Sequence, residues 1–210
     1  MVGLLNKYVN FDTSVDIWLS HPLIKVISKI VFYFIKEKKM YKTKSNYQVI
    51  ELAQMALVTS LYIVVTLLLN PISYGAIQLR ISEMFTLLVV FDKKYIWSIT
   101  MGVVISNLYS PLGVIDAFVG GGSSFFALAL TFMITASIKR LIIKLIVASF
   151  IVSLTMFTVA AELKWVLGFP FLETYLFVGI GELFTMLLGT IIILAINSKV
   201  DLKRILSKKE

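Results

Sequence analysis

The chain contains a succession of apolar runs too long to serve as core elements of a soluble domain. They cover residues 48–69, 95–115, 117–138, 141–161 and 171–197, each near the roughly 20 residues that a helix needs to cross a bilayer. A sixth, shorter run, Ile77–Phe91, lies between the first two. With 59% hydrophobic and 15% charged residues, too little polar surface remains to coat a globule, and the chain belongs in a membrane.

Length alone leaves the short run ambiguous between a crossing and a re-entrant segment, so the charges decide. If all six runs cross and the first starts inside, the clusters within 36–44, 93–94, 139–144 and 199–209 all face the cytoplasm, leaving only Arg80 and Lys164 outside. If the short run does not cross, the 139–144 cluster and the C-terminal tail are forced outside, against the positive-inside rule. The expected fold is therefore an all-α integral membrane protein with six transmembrane helices and both termini cytoplasmic, multi-pass in the plasma membrane.

Three regions are expected. Residues 1–46 form a basic N-terminal extension, in which a helix from Pro22 would put Leu23, Ile27, Ile30 and Phe34 on one face and Lys25, Lys29 and Lys36 away from it, a pattern suited to the membrane surface. Residues 47–198 make the six-helix domain, and 199–210 a basic cytoplasmic tail.

The net charge of +8 does not point to nucleic acid, because Lys and Arg cluster between apolar runs as in cytoplasmic loops. No Cys and a single His21 leave no disulfide framework and no Cys- or His-based metal site or catalysis. With no paired acid/base or nucleophile motif either, the chain does not read as an enzyme.

The polar groups carry the function. Asn70–Glu83 is a Pro/Gly-broken turn that opens into an apolar run bearing both Arg80 and Glu83, and ionisable groups beside a membrane segment are costly to place. In the six-helix topology Tyr74, Gln78, Arg80, Glu83, Asn107, Asp116, Glu162, Trp165 and, deeper, Glu182 gather towards the outer side, while the inner half is nearly free of charge. That is the arrangement of a capture pocket.

Structural readings stand beside the functional ones. Arg80 and Glu83, three apart on a helix, can pair with each other, and Arg80 can snorkel to the headgroups. Trp165 can be a belt aromatic, and Asp116 can cap a helix starting near Ala117. Glu162 and Glu182, within or at the edge of long apolar runs, are harder to place without a partner. Gly120-Gly121-Gly122 lacks the continuation of a phosphate loop and reads as a site of close helix packing. Ala56 and Ser60 form a small-x-x-x-small pair on the first run, which lets another helix approach, within this chain or from another subunit.

In order along the chain come Ser60-Leu-Tyr-Ile-Val-Val-Thr66, Pro71-Ile-Ser-Tyr-Gly-Ala-Ile-Gln-Leu-Arg-Ile-Ser-Glu83, Asn107, Gly113 to Asp116, Ala161-Glu162-Leu163, Leu167-Gly-Phe-Pro-Phe171 and Val178-Gly-Ile-Gly-Glu182. This series, spanning about residues 48–190, resembles the QueT family. The first 46 residues lie outside the resemblance, and Ser60 stands where the family often has Ala.

The resemblance implies a substrate-binding subunit (S component) of an energy-coupling-factor (ECF) transporter for a queuosine precursor, 7-aminomethyl-7-deazaguanine or a related 7-deazaguanine. It further implies partnership with a coupling membrane protein and two ATPases, docking through Ala56 and Ser60, and a lid that includes Gly75, Gln78 and Arg80. ATP is used by those partners, and no cofactor is expected in this chain.

A deazaguanine presents adjacent N–H donors that a carboxylate accepts in pairs, and a carbonyl that needs a donor. The acceptors expected are Glu83, Glu162 and Glu182, with Asp116 as a fourth, Asn107 as donor, and Tyr74 or Trp165 stacking. The alternative class is a stand-alone, ion-coupled secondary transporter of a small heterocyclic metabolite, with Glu162 or Glu182 as the coupling carboxylate.

Overall fold

The computed structural model describes residues 44–73 and 80–207. The expected surface helix of the N-terminal extension and the positions Tyr74, Gly75 and Gln78 lie outside the described residues. Within them every regular element is helical. α1 spans Lys44–Leu68 and is followed by a single turn, Asn70–Ser73; a 3-10 helix covers Ile81–Val90. Then come α2 (Lys94–Asn107), α3 (Val114–Ala136), α4 (Leu141–Leu154), α5 (Phe157–Leu167), α6 (Phe171–Asn197) and the short α7 (Leu202–Leu206).

Four helical stretches are long and apolar enough to cross a bilayer: Gln48–Leu68, Val114–Ala136, Leu141–Leu167 and Phe171–Asn197. Their outward faces carry large apolar side chains. Phe118, Phe126 and Met133 on α3 are 78%, 73% and 71% exposed, which in water would be a large uncovered patch and in lipid is the ordinary solvated surface. The protein is a multi-pass membrane protein.

The second and third expected crossings take another form. The run at 95–115 stops as a helix at Asn107, because Pro111 cannot continue an α-helix and the following turn ends at Gly113, whose φ of +57° favours a residue without a Cβ. The Ile77–Phe91 run becomes the 3-10 helix. Thr86 donates its hydroxyl to the Glu83 carbonyl three residues back (2.6 Å), and Thr86, Val89 and Val90 are β-branched, which lowers α propensity.

This unusually long 3-10 element is the post of the bundle. At about 2.0 Å rise per residue its ten residues reach about 20 Å, against about 15 Å as an α-helix. α1, α2, α3, α4 and α6 all pack on it, and Gly189 of α6 permits the closest approach, since a Cβ there would come within 2.6 Å of the Met84 Cβ. With three residues per turn, Glu83, Thr86 and Val89 form one straight row, all buried. The core around them is Tyr62, Leu87, Ile99, Val103, Leu128, Leu145 and Met186.

Two further departures matter. The run at 141–161 is broken between α4 and α5, where the Thr155 hydroxyl donates to the Val152 carbonyl three residues back (2.6 Å), a local bond that bends helices, while the Ser153 hydroxyl crosses to the Gly179 carbonyl of α6 (2.6 Å). In the basic tail, α7 folds back with Leu202 and Leu206 against the core. Gln54 of α1 donates to the Ile205 carbonyl (3.2 Å), Tyr95 of α2 to the Leu206 carbonyl (3.3 Å), and Lys94 to the Gln54 side-chain oxygen (2.5 Å).

Candidate functional site

The start of the 3-10 helix, the end of α2, the start of α3 and the first half of α6 converge at the end of the bundle opposite α7. Arg80 sits on extended backbone just before the 3-10 helix and is 9% exposed. One guanidinium nitrogen donates to Asn107 Oδ1 (3.0 Å), and another lies 3.6 Å from Asp116 Oδ2. Asn107 in turn donates from Nδ2 to both the backbone carbonyl and Oδ1 of Asp116, each at 3.0 Å. A side chain at Gly120 would run into that amide, so the first glycine of the triplet makes room for the network. Gly121 does the same for Val104, whereas Gly122 faces open space.

The neighbouring cluster joins α1 to the post. The Tyr62 hydroxyl, fully buried, donates to Glu83 Oε1 (2.5 Å). The hydroxyls of Thr66 and Ser82 share a bond of 2.6 Å, and Thr86 also reaches the Met186 sulfur (3.1 Å).

Between the two clusters lies a cleft. Arg80, Glu83, Asp116 and Glu182 supply its charged lining, Thr86, Ser123, Thr155 and Thr158 supply hydroxyls, and Leu128, Val152, Met156, Val159 and Val178 form its apolar wall. Mouth included, it encloses about 570 Å³, but only about 30 Å³ at its heart is wide enough for water. That is well below the several hundred Å³ of pockets for drug-sized molecules. Glu182 is 3% exposed and its Oε1 has no hydrogen-bond partner. One guanidinium thus stands among three carboxylates.

The family model described as QueT transporter matches residues 52–198, which holds every residue of this cleft. The chain belongs to the QueT transporter family. A relative from Lactococcus lactis subsp. cremoris (strain MG1363), named queuosine precursor transporter QueT, is 36% identical over 163 residues, covering 73% of this chain and 96% of the relative. No solved structure matches. Members of the QueT family are transporters, not enzymes.

Against this QueT fold the expected site residues separate. Glu83, Arg80, Asp116 and Glu182 come together on the cleft. Arg80 is tied to Asn107 and Asp116, and Asp116 serves that network from the first turn of α3 instead of capping it. Asn107 spends both its amide hydrogens on Asp116 and its oxygen on Arg80, so it holds the cleft wall instead of donating into the cleft. Glu162 is 4% exposed with an unpartnered Oε1 and feels the charges of Asp116 and Arg80, but it is not part of the cleft lining. Trp165 is 83% exposed and is not part of the cleft lining.

Tyr62 was not among the expected site residues. Its signal was there: Tyr62 and Thr66 are four apart, on one face of an apolar helix, and both turn out to bind the start of the 3-10 helix. Ala56 and Ser60 are exposed, with the Ser60 hydroxyl donating back to the Ala56 carbonyl (2.8 Å).

Proposed function

We propose that the protein is the substrate-binding subunit of an ATP-driven importer of the energy-coupling-factor type, and that it captures a 7-deazaguanine queuosine precursor from outside the cell. The observation that carries this reading is the buried cleft of a QueT-family chain in which Arg80 and three carboxylates converge beside an aliphatic wall. A guanine-like ring has flat apolar faces for Leu128, Val152 and Val178, adjacent N–H donors for a carboxylate, and a carbonyl for the guanidinium. The name of the Lactococcus relative supports the ligand class.

In this reading six segments cross, with the 3-10 helix and α2 as the two shorter ones. The cleft faces outwards because Lys93, Lys94, Lys139, Arg140, Lys203 and Arg204 stand at the opposite end. The exposed small face at Ala56 and Ser60 receives the coupling membrane protein, whose two ATPase partners consume the ATP.

Two measurements test it. The purified protein in detergent binds 7-aminomethyl-7-deazaguanine, and neither riboflavin nor guanine in tenfold excess displaces it; displacement by riboflavin would remove the ligand class. Replacing Ala56 and Ser60 together by Trp leaves that binding within about 2-fold of wild type and abolishes uptake. Uptake that persists in cells without any coupling-factor ATPase would instead favour an ion-coupled carrier.

A further inference from the structure

At the α7 end the bundle holds a second, much larger hollow, enclosed by α1, the turn before α2, α2 itself, α3 and α7. About 960 Å³ of it is wide enough for water, at the upper end of ligand-pocket sizes. Its lining is divided by chemistry. Glu51, Asp92, Lys93, Lys94 and Lys203 are charged, whereas Met55, Trp97, Phe125 and Phe132 make an apolar wall. Glu51 stands one turn before Met55 on α1, and Lys94 one turn before Trp97 on α2, so the two kinds of lining are set apart in the same sense along both helices. The Trp97 ring packs on Phe125 with 5.1 Å between centroids. From Phe132 to Phe125 the wall runs two turns along α3, about 10 Å.

Three of the five charges already have company within the protein. Lys94 donates to Gln54, Asp92 accepts from the first amide of α2, and Glu51 also interacts with another group of the chain. Lys93 and Lys203 are both exposed and have no ion-pair partner among the described residues. Water filling the hollow leaves the aromatic wall against solvent, and plain hydrocarbon leaves the two ammonium groups without hydration. An amphiphile satisfies both parts.

We propose that this hollow is a phospholipid site, with an anionic headgroup on Lys93 and Lys203 and an acyl chain laid along Trp97, Phe125 and Phe132. Lysines beside a membrane surface attract anionic headgroups, and the 10 Å wall covers most of the roughly 15 Å depth of one leaflet's hydrocarbon. The two lysines belong to different elements, the turn before α2 and the helix α7. A lipid phosphate between them therefore adds to the hydrogen bonds that hold α7 on the bundle.

The full-length protein, delipidated in a neutral detergent, is titrated with phosphatidylglycerol, phosphatidylethanolamine and phosphatidylcholine of identical acyl chains, and the complexes are counted by native mass spectrometry. The expected result is a saturable one-to-one complex with phosphatidylglycerol, about 10-fold or more tighter than with either zwitterionic lipid. In the double variant Lys93→Gln, Lys203→Gln that preference falls to within about 3-fold. The double variant Lys139→Gln, Arg140→Gln removes as much charge from the same end of the bundle but none from the hollow, and keeps the preference. Glycerophosphoglycerol, the headgroup without its chains, does not compete at tenfold excess.

Equal binding of the three lipids by the wild type would overturn recognition of the headgroup, and this comparison needs no variant. An equal loss in both double variants would reduce the effect to the general charge of that end and overturn the site. Competition by glycerophosphoglycerol would overturn the seat of the acyl chain and leave an anion site only.

Discussion

Two buried cations, Arg80 and Lys94, are 9% and 7% exposed and stand at opposite ends of the bundle. At the α7 end Lys94 donates to Gln54 and lies 5.2 Å from the centre of the Tyr95 ring, and Gln54 and Tyr95 pass the chain of bonds to two backbone carbonyls of α7. Those contacts tie three helices together. At the cleft end Arg80 is held by Asn107 and Asp116, yet next to it a carboxylate oxygen of Glu182 is left without a partner. The same cost of burying charge is met in one place by internal hydrogen bonds and in the other left partly open to what the cleft receives. Polar burial at the α7 end is thus closed by bonds within the protein, whereas on the cleft one buried carboxylate oxygen keeps no hydrogen-bond partner.

The comparison can be broken in three ways. The largest effect is expected for Arg80→Met, which strands Asp116 and Asn107 and should lower unfolding stability in detergent by about 3–5 kcal/mol, with ligand binding lost as well. A variant as stable as wild type would show that the network is not what holds this end. A smaller and purely structural effect is expected for Gln54→Ala, which removes the bond to the Ile205 carbonyl and the acceptor for Lys94. It should cost about 1–3 kcal/mol and leave ligand affinity within 2-fold; a change in affinity would mean that the two ends are coupled. The smallest belongs to Glu173→Gln, an exposed position in the first turn of α6, where both stability and affinity should stay within error of wild type.

How much of this was legible beforehand differs by residue. The long spans could be read because twenty consecutive apolar residues have few alternatives to a crossing helix. Arg80, Glu83, Asp116 and Glu182 stood out because ionisable groups are rare in such surroundings, and they do meet. The role of Asn107 was not readable, because a buried amide that serves the ligand and one that serves the wall are the same residue in the same place, and only its three bonds distinguish them. The place of Trp165 was not readable, because a ring that stacks on a ligand and one that sits in the interfacial belt are the same residue at the end of an apolar run. The break at Thr155 depended on hydroxyls choosing backbone partners, and the docking of α7 on two leucines in a lysine-rich tail.

The 3-10 helix has a mechanical side. The same ten residues wound as an α-helix would be about 5 Å shorter, and Arg80 before it and Asp92 beyond it could not both stay where they are. Arg80 is anchored to α2 and α3, and Asp92 Oδ1 accepts from the first amide of α2 (3.1 Å). The segment thus spans a fixed distance between Arg80 and the start of α2, and its three-residue turn sets Glu83 and Thr86 in one row along the cleft.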